Sequence, residues 1–309
     1  MKYYRASVVR AAVLVSAITM RKPRVMFSLL TTTGILVAAL VTPAIGQEGS
    51  GDEAWAYQED IDYDEDGDVD EGDLARAAQN PVGDLISLPF QNNMNFDVGP
   101  AERTQNVHNI QPVWPISMGK KWNLITRTIL PVISQPAPGS DRTNGLGDLS
   151  FTGFLSPKKP GKVIWGAGPV IVFPTATDEV LGAEKWSLGP SFVALTMKGP
   201  WVFGALASNV WSVAGEDERA DVNFFLAQYF VNYNYPSGWY LTSAPIVTAN
   251  WEADSGNQWT VPFGGGIGKV FAIGRQPINI NTQVFYNVEK PTFGAEWQWR
   301  WQIQLLFPK

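Results

Sequence analysis

The last apolar run of the chain reads WQWRWQIQLLF, residues 297–307. Trp297, Trp299, Trp301, Ile303, Leu305 and Phe307 share one parity, and Glu296, Gln298, Arg300, Gln302 and Gln304 hold the other until Leu306 breaks the rule. Successive side chains of a strand point to opposite faces, so this period of two predicts a strand with a greasy face and a wet face. The run 277–288 repeats the pattern, with Ile278, Ile280, Thr282, Val284, Tyr286 and Val288 opposing Asn279, Asn281, Gln283, Phe285 and Asn287. In 258–272, bulky Trp259, Val261, Phe263, Ile267 and Phe271 alternate with Thr260, Pro262, Gly264, Gly266 and Gly268. Twelve apolar-aromatic runs follow Gly83, at about 86–96, 106–116, 121–133, 146–156, 162–174, 186–197, 201–212, 222–235, 239–250, 258–272, 277–288 and 295–307, with turn residues between them. No convincing amphipathic helix lies among them. The runs 146–156 and 201–212 fit either register.

The connectors carry a second signal. From the first run onward they alternate long and short, the short ones being SMGK, PKKPG, KGP, PSG and GRQ. Most of the short turns carry Lys or Arg (Lys120, Lys158, Lys159, Lys198, Arg275), and most of the long ones hold the acids. An even-stranded barrel through the bacterial outer membrane has this layout, with tight periplasmic turns, longer outer loops and both termini in the periplasm. The predicted fold class is therefore all-β: a transmembrane antiparallel β-barrel of about 12 strands, preceded by a signal peptide and an acidic leader.

A bilayer explains the two faces better than a soluble β-sandwich does. In lipid every backbone group must be satisfied internally, which demands a closed sheet and turns the wet face into an interior. Arg300, Gln298, Gln302, Gln304, Glu296, Asn279, Asn281 and Gln283 are then candidate lumen-lining residues. Arg127 is charged too, but its face is ambiguous. Runs of this length suit the ~9–11 residues that a tilted strand needs to cross. Aromatic residues at run ends, among them Trp114, Trp122, Trp165, Trp186, Trp201 and Trp259, fit interfacial girdles. A sandwich would usually show a two-sheet core and more surface charge.

Composition narrows the chemistry. The 309 residues include 13 Trp, no Cys and one His, so thiolate sites are excluded and any imidazole chemistry must pass through His108. Residues 1–46 hold six Lys or Arg and no acid, and the text from Met20 has the basic start, apolar stretch and small-residue site of a secretory signal peptide, with Met20 the expected start. Their removal leaves 17 basic against 29 acidic side chains, and this acidic balance argues against nucleic acid as a partner. Residues 47–83 form an acidic leader expected in the periplasm. Within it, residues 62–73 place Asp62, Asp64, Asp66, Asp70 and Asp73 at loop positions 1, 3, 5, 9 and 12, with Asp68 between them and Gly67 at position 6. Oxygen ligands at this spacing wrap a hard cation, and the segment is similar to an EF-hand or dockerin-type calcium loop. Asp73 stands where such loops usually have Glu. The bland alternative is a solvated acidic tail. No other cofactor is required.

Residues 84–309 carry a family resemblance. The segments LISLPFQNNMNFDVGP (85–100), NIQPVWPI (109–116), KWNLITRTILPVI (121–133) and GLGDLSFTGFLSP (145–157), with the terminal QLLFPK, resemble outer-membrane proteins grouped with the meta-pathway phenol-degradation family, often mislabelled neuromedin U. The resemblance implies a barrel that passes small compounds, aromatic ones among them. The final strand is similar to the signal read by the barrel-assembly machinery, although Pro308-Lys309 follow Phe307. The expected function is a non-enzymatic outer-membrane channel or uptake protein for passive passage of small solutes, with membrane lipid, lipopolysaccharide and that machinery as partners. Two rivals stand beside it: a lipid-modifying barrel enzyme, which needs a Ser-His pairing at His108, and a structural or binding barrel whose leader docks a periplasmic partner.

Overall fold

The computed structural model describes residues 71–137 and 141–308, all within the compact unit Glu53–Lys309. The expected signal peptide, the leader up to residue 70, and with it Asp62, Asp64, Asp66, Asp68 and Asp70 lie outside the described residues.

Among the described residues one helix, α1 (Glu71–Ala78), precedes the strands β1 (Ile86–Val98), β2 (Arg103–Ile110), β3 (Val113–Met118), β4 (Trp122–Pro136), β5 (Arg142–Leu146), β6 (Leu149–Pro157), β7 (Ile164–Phe173), β8 (Lys185–Lys198), β9 (Trp201–Gly215), β10 (Asn223–Asn234), β11 (Trp239–Ser243), β12 (Ile246–Asn250), β13 (Trp259–Ile273), β14 (Gln276–Glu289) and β15 (Trp297–Phe307). They make twelve staves, because β2/β3, β5/β6 and β11/β12 are each one stave broken midway. Two breaks fall at Pro112 and Pro245, residues with no N–H to give the ladder. At the third, the Asp148 carboxylate turns to the next loop and accepts from Ala176 N (3.1 Å) and Ala183 N (2.7 Å).

Neighbouring staves pair antiparallel throughout. β1 pairs β15 from Ile86↔Phe307 to Phe96↔Trp297, which closes the sheet and leaves no edge. The twelve runs seen in the sequence are these staves. Strict alternation of long and short connectors holds less well: residues 137–141 form a connector no longer than 158–163, because Arg142–Leu146 pairs with the end of β4 as β5 instead of staying loop. The other short turns are tight, and Gly199 (φ 54°) and Gly274 (φ 61°) supply the left-handed residue that two-residue hairpins need.

Register fixes the faces. Gln304 stands opposite Asn279, and Asn279 opposite Val270; all three are buried inside the barrel. The alternate residues face out: Trp297, Trp299, Ile303 and Phe263 are 45%, 41%, 43% and 69% exposed. Outward aromatics form two belts. Trp122–Trp165 and Trp201–Tyr233–Tyr235 lie at the short-turn rim; Phe173–Trp186, Trp251–Trp259 and Tyr286–Trp297 lie at the long-loop rim. A continuous apolar wall between aromatic belts is what a hydrocarbon layer requires of a sheet.

The core is the barrel's own interior. Ile125, Phe154, Val193, Leu195, Val202, Leu206 and Phe230 pack there around Val82 of the leader. A second cluster joins Leu74 and Ala75 of α1 to Leu85, Tyr240, Val270 and Leu306. Tyr240, Val270 and Leu306 lie near the short-turn ends of their strands, so α1 occupies the short-turn mouth from within. Its charges suit the helix dipole, with Glu71 and Asp73 in the first turn and Arg76 in the last, and Asp73 pairs with Arg76. Leu74, Ala75 and Val82, at the end of the leader expected over 47–83, thus share the barrel's packing with Leu85. Burying Leu74 alone stabilises that placement by about 1.5–3 kcal/mol.

Candidate functional site

A cavity of roughly 360 Å³ lies inside the barrel above the plug. Residues 77–81 close one side of it. One wall is a hydrogen-bonded array of amides from β14 and β15. Tyr240 Oη donates to Asn279 Oδ1 (2.7 Å) and Asn279 Nδ2 donates to Gln304 Oε1 (3.0 Å). Gln283 Nε2 donates to Asn281 Oδ1 (3.3 Å), while Gln283 Oε1 accepts from Ala244 N (3.0 Å). Side-chain amides both donate and accept, so such a wall satisfies itself yet can exchange bonds with a passing solute. The rest of the lining is mixed: Leu206, Leu226, Phe230, Ile129 and Val113 give it apolar surface, with Gln228 and Asn232 set between and beside them on β10.

Two arginines face this space. Arg300 is 3% exposed and donates through Nε to Asn93 Oδ1 (2.9 Å), through Nη1 to Ala244 O (2.8 Å) and through Nη2 to Gln298 Oε1 (2.9 Å). Its guanidinium also lies 4.9 Å from the centre of the Phe285 ring. Arg127 lies opposite Thr152 and Val113 on inward-facing register and donates to Gln111 Oε1 (2.6 Å). The plug is tied to the opposite wall by a reciprocal amide pair, Gln79 Nε2 to Asn234 Oδ1 (2.8 Å) and Asn234 Nδ2 to Gln79 Oε1 (3.2 Å).

Of the eight candidate lumen residues, Arg300, Gln302, Gln304, Asn279, Asn281 and Gln283 line the cavity. Gln298 stands beside it, bonded to Arg300 and, through Nε2, to Asn95 Oδ1 (2.9 Å). Glu296 does not join them: it precedes β15, and its backbone accepts from Asn287 N (2.9 Å) and donates to Phe96 O (3.0 Å) at the long-loop rim. Parity puts Glu296 on the wet face, one residue before β15 and outside this cavity. Sequence reasoning missed Gln91, Asn109, Gln111, Gln228 and Asn232, which also line the cavity. Gln228, Asn232 and Asn234 share one parity of FFLAQYFVNYN, a signal that could have found two of them. Asp73, the described member of the expected calcium loop, lies in the first turn of α1. Among the described residues no cluster of His, Asp or Glu has a metal-binding arrangement.

His108 is on the outer face. It stands opposite Asn92 and Val132, stacks on Phe90 at 6.4 Å and tilts against Trp301 at 6.1 Å. Ser134, the hydroxyl diagonal to it on β4, donates to Asn144 Oδ1 (2.6 Å) and accepts from Arg142 Nε (2.8 Å). A serine nucleophile needs its base within hydrogen-bond reach, and this hydroxyl is committed elsewhere.

A solved outer membrane channel, the COG4313 channel of Pseudomonas putida F1, superposes with a TM-score of 0.58 at 18% sequence identity, covering 74% of this chain and 97% of that one. The chain has the fold of an outer-membrane channel. The outer membrane phospholipase A of Escherichia coli (TM-score 0.42, 11% identity, 82% of this chain and 99% of that one) and the toluene transporter TodX of P. putida (0.32, 8%, 77% and 91%) share less and decide nothing about chemistry. No family model matches, so the kinship with the meta-pathway phenol-degradation group stays a resemblance. No curated protein matches either.

Proposed function

We propose that this chain is a passive outer-membrane channel for small solutes that combine an apolar body with a polar group. The cavity carries the reading: it lies within a closed barrel, and its lining combines side-chain amides with aliphatic and aromatic surface, so it offers a solute both kinds of contact at once. The barrel sits in the bacterial outer membrane with its short turns and both termini on the periplasmic side, as its aromatic belts and connector lengths suggest. The barrel-assembly machinery would read β15, and lipopolysaccharide would meet the acidic long loops. Purified mature protein in planar bilayers is expected to give discrete conductance steps, and proteoliposomes should swell in a small neutral sugar. A barrel that inserts yet gives neither steps nor swelling would sink the channel reading.

For the leader we propose one calcium ion in residues 62–73, fixing the start of α1. The support is the ligand spacing together with the helix beginning at Glu71, the exit side of such a loop. Calorimetry of the full mature chain in detergent should show binding of order 10⁻⁴–10⁻³ M, lost in Asp62→Ala/Asp64→Ala. An unchanged heat in that variant would place the ion elsewhere.

A further inference from the structure

The two cavity arginines ask for something that the described residues around them do not provide. Arg300 is buried, and each of its three protein acceptors is neutral: an Asn amide, a Gln amide and a backbone carbonyl. Arg127 gives one bond, to the neutral amide of Gln111. Both side chains reach the same cavity, and among the described residues no Asp or Glu lines it. A guanidinium withdrawn from water is costly unless an opposite charge faces it, and polar neutral partners offset only part of that cost. A guanidinium has five donors in a planar fork that matches a carboxylate. Arg300 commits three of them to the protein and Arg127 one, which leaves donors on both for a ligand.

The rest of the lining says what else the ligand carries. Leu206, Leu226 and Phe230 belong to the apolar cluster of the barrel interior and, although Gln228 and Asn232 stand beside them, give the β9–β10 side hydrocarbon surface that suits an organic body better than a hydrated inorganic anion. The volume, roughly 360 Å³, lies near the small end of the ~300–1,000 Å³ range of small-molecule sites, enough for one ring or a short chain.

We infer that the cavity selects small organic monocarboxylates, with the carboxylate held by Arg127 and Arg300 and the apolar body lying against Leu206, Leu226 and Phe230. This rests on the reading of the cavity as the solute path, and it names the class of solute. The anion completes the charge balance of the interior while it is bound. The amide wall then lets it go, because Gln302 and Gln304 can trade hydrogen bonds with it at little net cost.

Equilibrium binding to the full mature protein in detergent tests it, with benzoate, its neutral isostere benzamide and inorganic phosphate as probes. Wild type should bind benzoate at least tenfold more tightly than either of the others. Arg127→Gln and Arg300→Gln should each erase most of that preference, and Arg127→Lys should keep a larger share of it than Arg127→Gln. Variants are accepted only when their unheated gel mobility matches wild type; if Arg300→Gln does not fold, the Arg127 pair decides alone. Equal binding of benzoate and benzamide overturns the inference, as does phosphate binding as tightly as benzoate or a preference that survives loss of the Arg127 charge. Swelling of wild-type proteoliposomes in neutral sugar reads the channel separately. Swelling without a carboxylate preference removes only this inference, and a preference without swelling removes the channel and leaves a binding site.

Discussion

Deleting residues 71–83 from the mature chain is expected to raise single-channel conductance several-fold. An α-helix with its side chains is about 10–12 Å across. Barrels of about 8 strands are filled by their own side chains, whereas those of about 16–18 leave an aqueous channel, so twelve staves enclose an intermediate bore that one helix largely fills. Here that helix sits in the short-turn mouth, held by Leu74 and Ala75 against Tyr240, Val270 and Leu306, with the Gln79–Asn234 amide pair as a second tether. The deletion removes apolar contacts, but the ladder from β1 to β15 closes without them, so the shortened protein should still assemble. Leu74→Asp is the gentler version. A carboxylate placed among these apolar neighbours is strongly disfavoured and should expel the helix, raising conductance without shortening the chain. Conductance equal to wild type in both variants would mean that the constriction lies elsewhere.

The second large effect is on stability. Gly268→Val should lower barrel stability by about 3 kcal/mol, combining overpacking with loss of a buried hydrogen bond. A Cβ at Gly268 would stand 2.2 Å from Tyr240 Cζ and 2.4 Å from its hydroxyl, so the ring must leave. Tyr240 is 3% exposed, donates to Asn279, and packs on the plug. Its displacement therefore opens the amide wall and loosens α1 together. Urea titration followed by unheated gel mobility reads the loss. Tyr240→Ala added to Gly268→Val should recover part of it, because the clash is gone. A Gly268→Val protein as resistant to urea as wild type would mean that Tyr240 has another place to sit.

Some of this architecture is a property of the sequence alone. The period of two in 277–288 and 297–307, the turn residues between runs and the aromatic run ends are local signals, and they define twelve staves and the lipid face because each strand obeys its own alternation. The polar wall is equally legible: Asn279, Asn281, Gln283, Arg300, Gln302 and Gln304 share parity along two clean alternators. Tertiary structure decided the rest. Arg127 lies in KWNLITRTILPVI, where apolar residues occupy both parities, and only pairing with Thr152 and Val113 turns it inward. An apolar side chain is acceptable on either face here, since part of the lumen is itself greasy, so hydrophobicity loses its power to assign a side. The leader shows the same limit from the other direction. Residues 47–83 read as an acidic leader, and Leu74 and Val82 gain a core only because a barrel that closes more than 200 residues later encloses them. Alternation is set between neighbours in the chain, whereas what fills a bore depends on its finished width and lining.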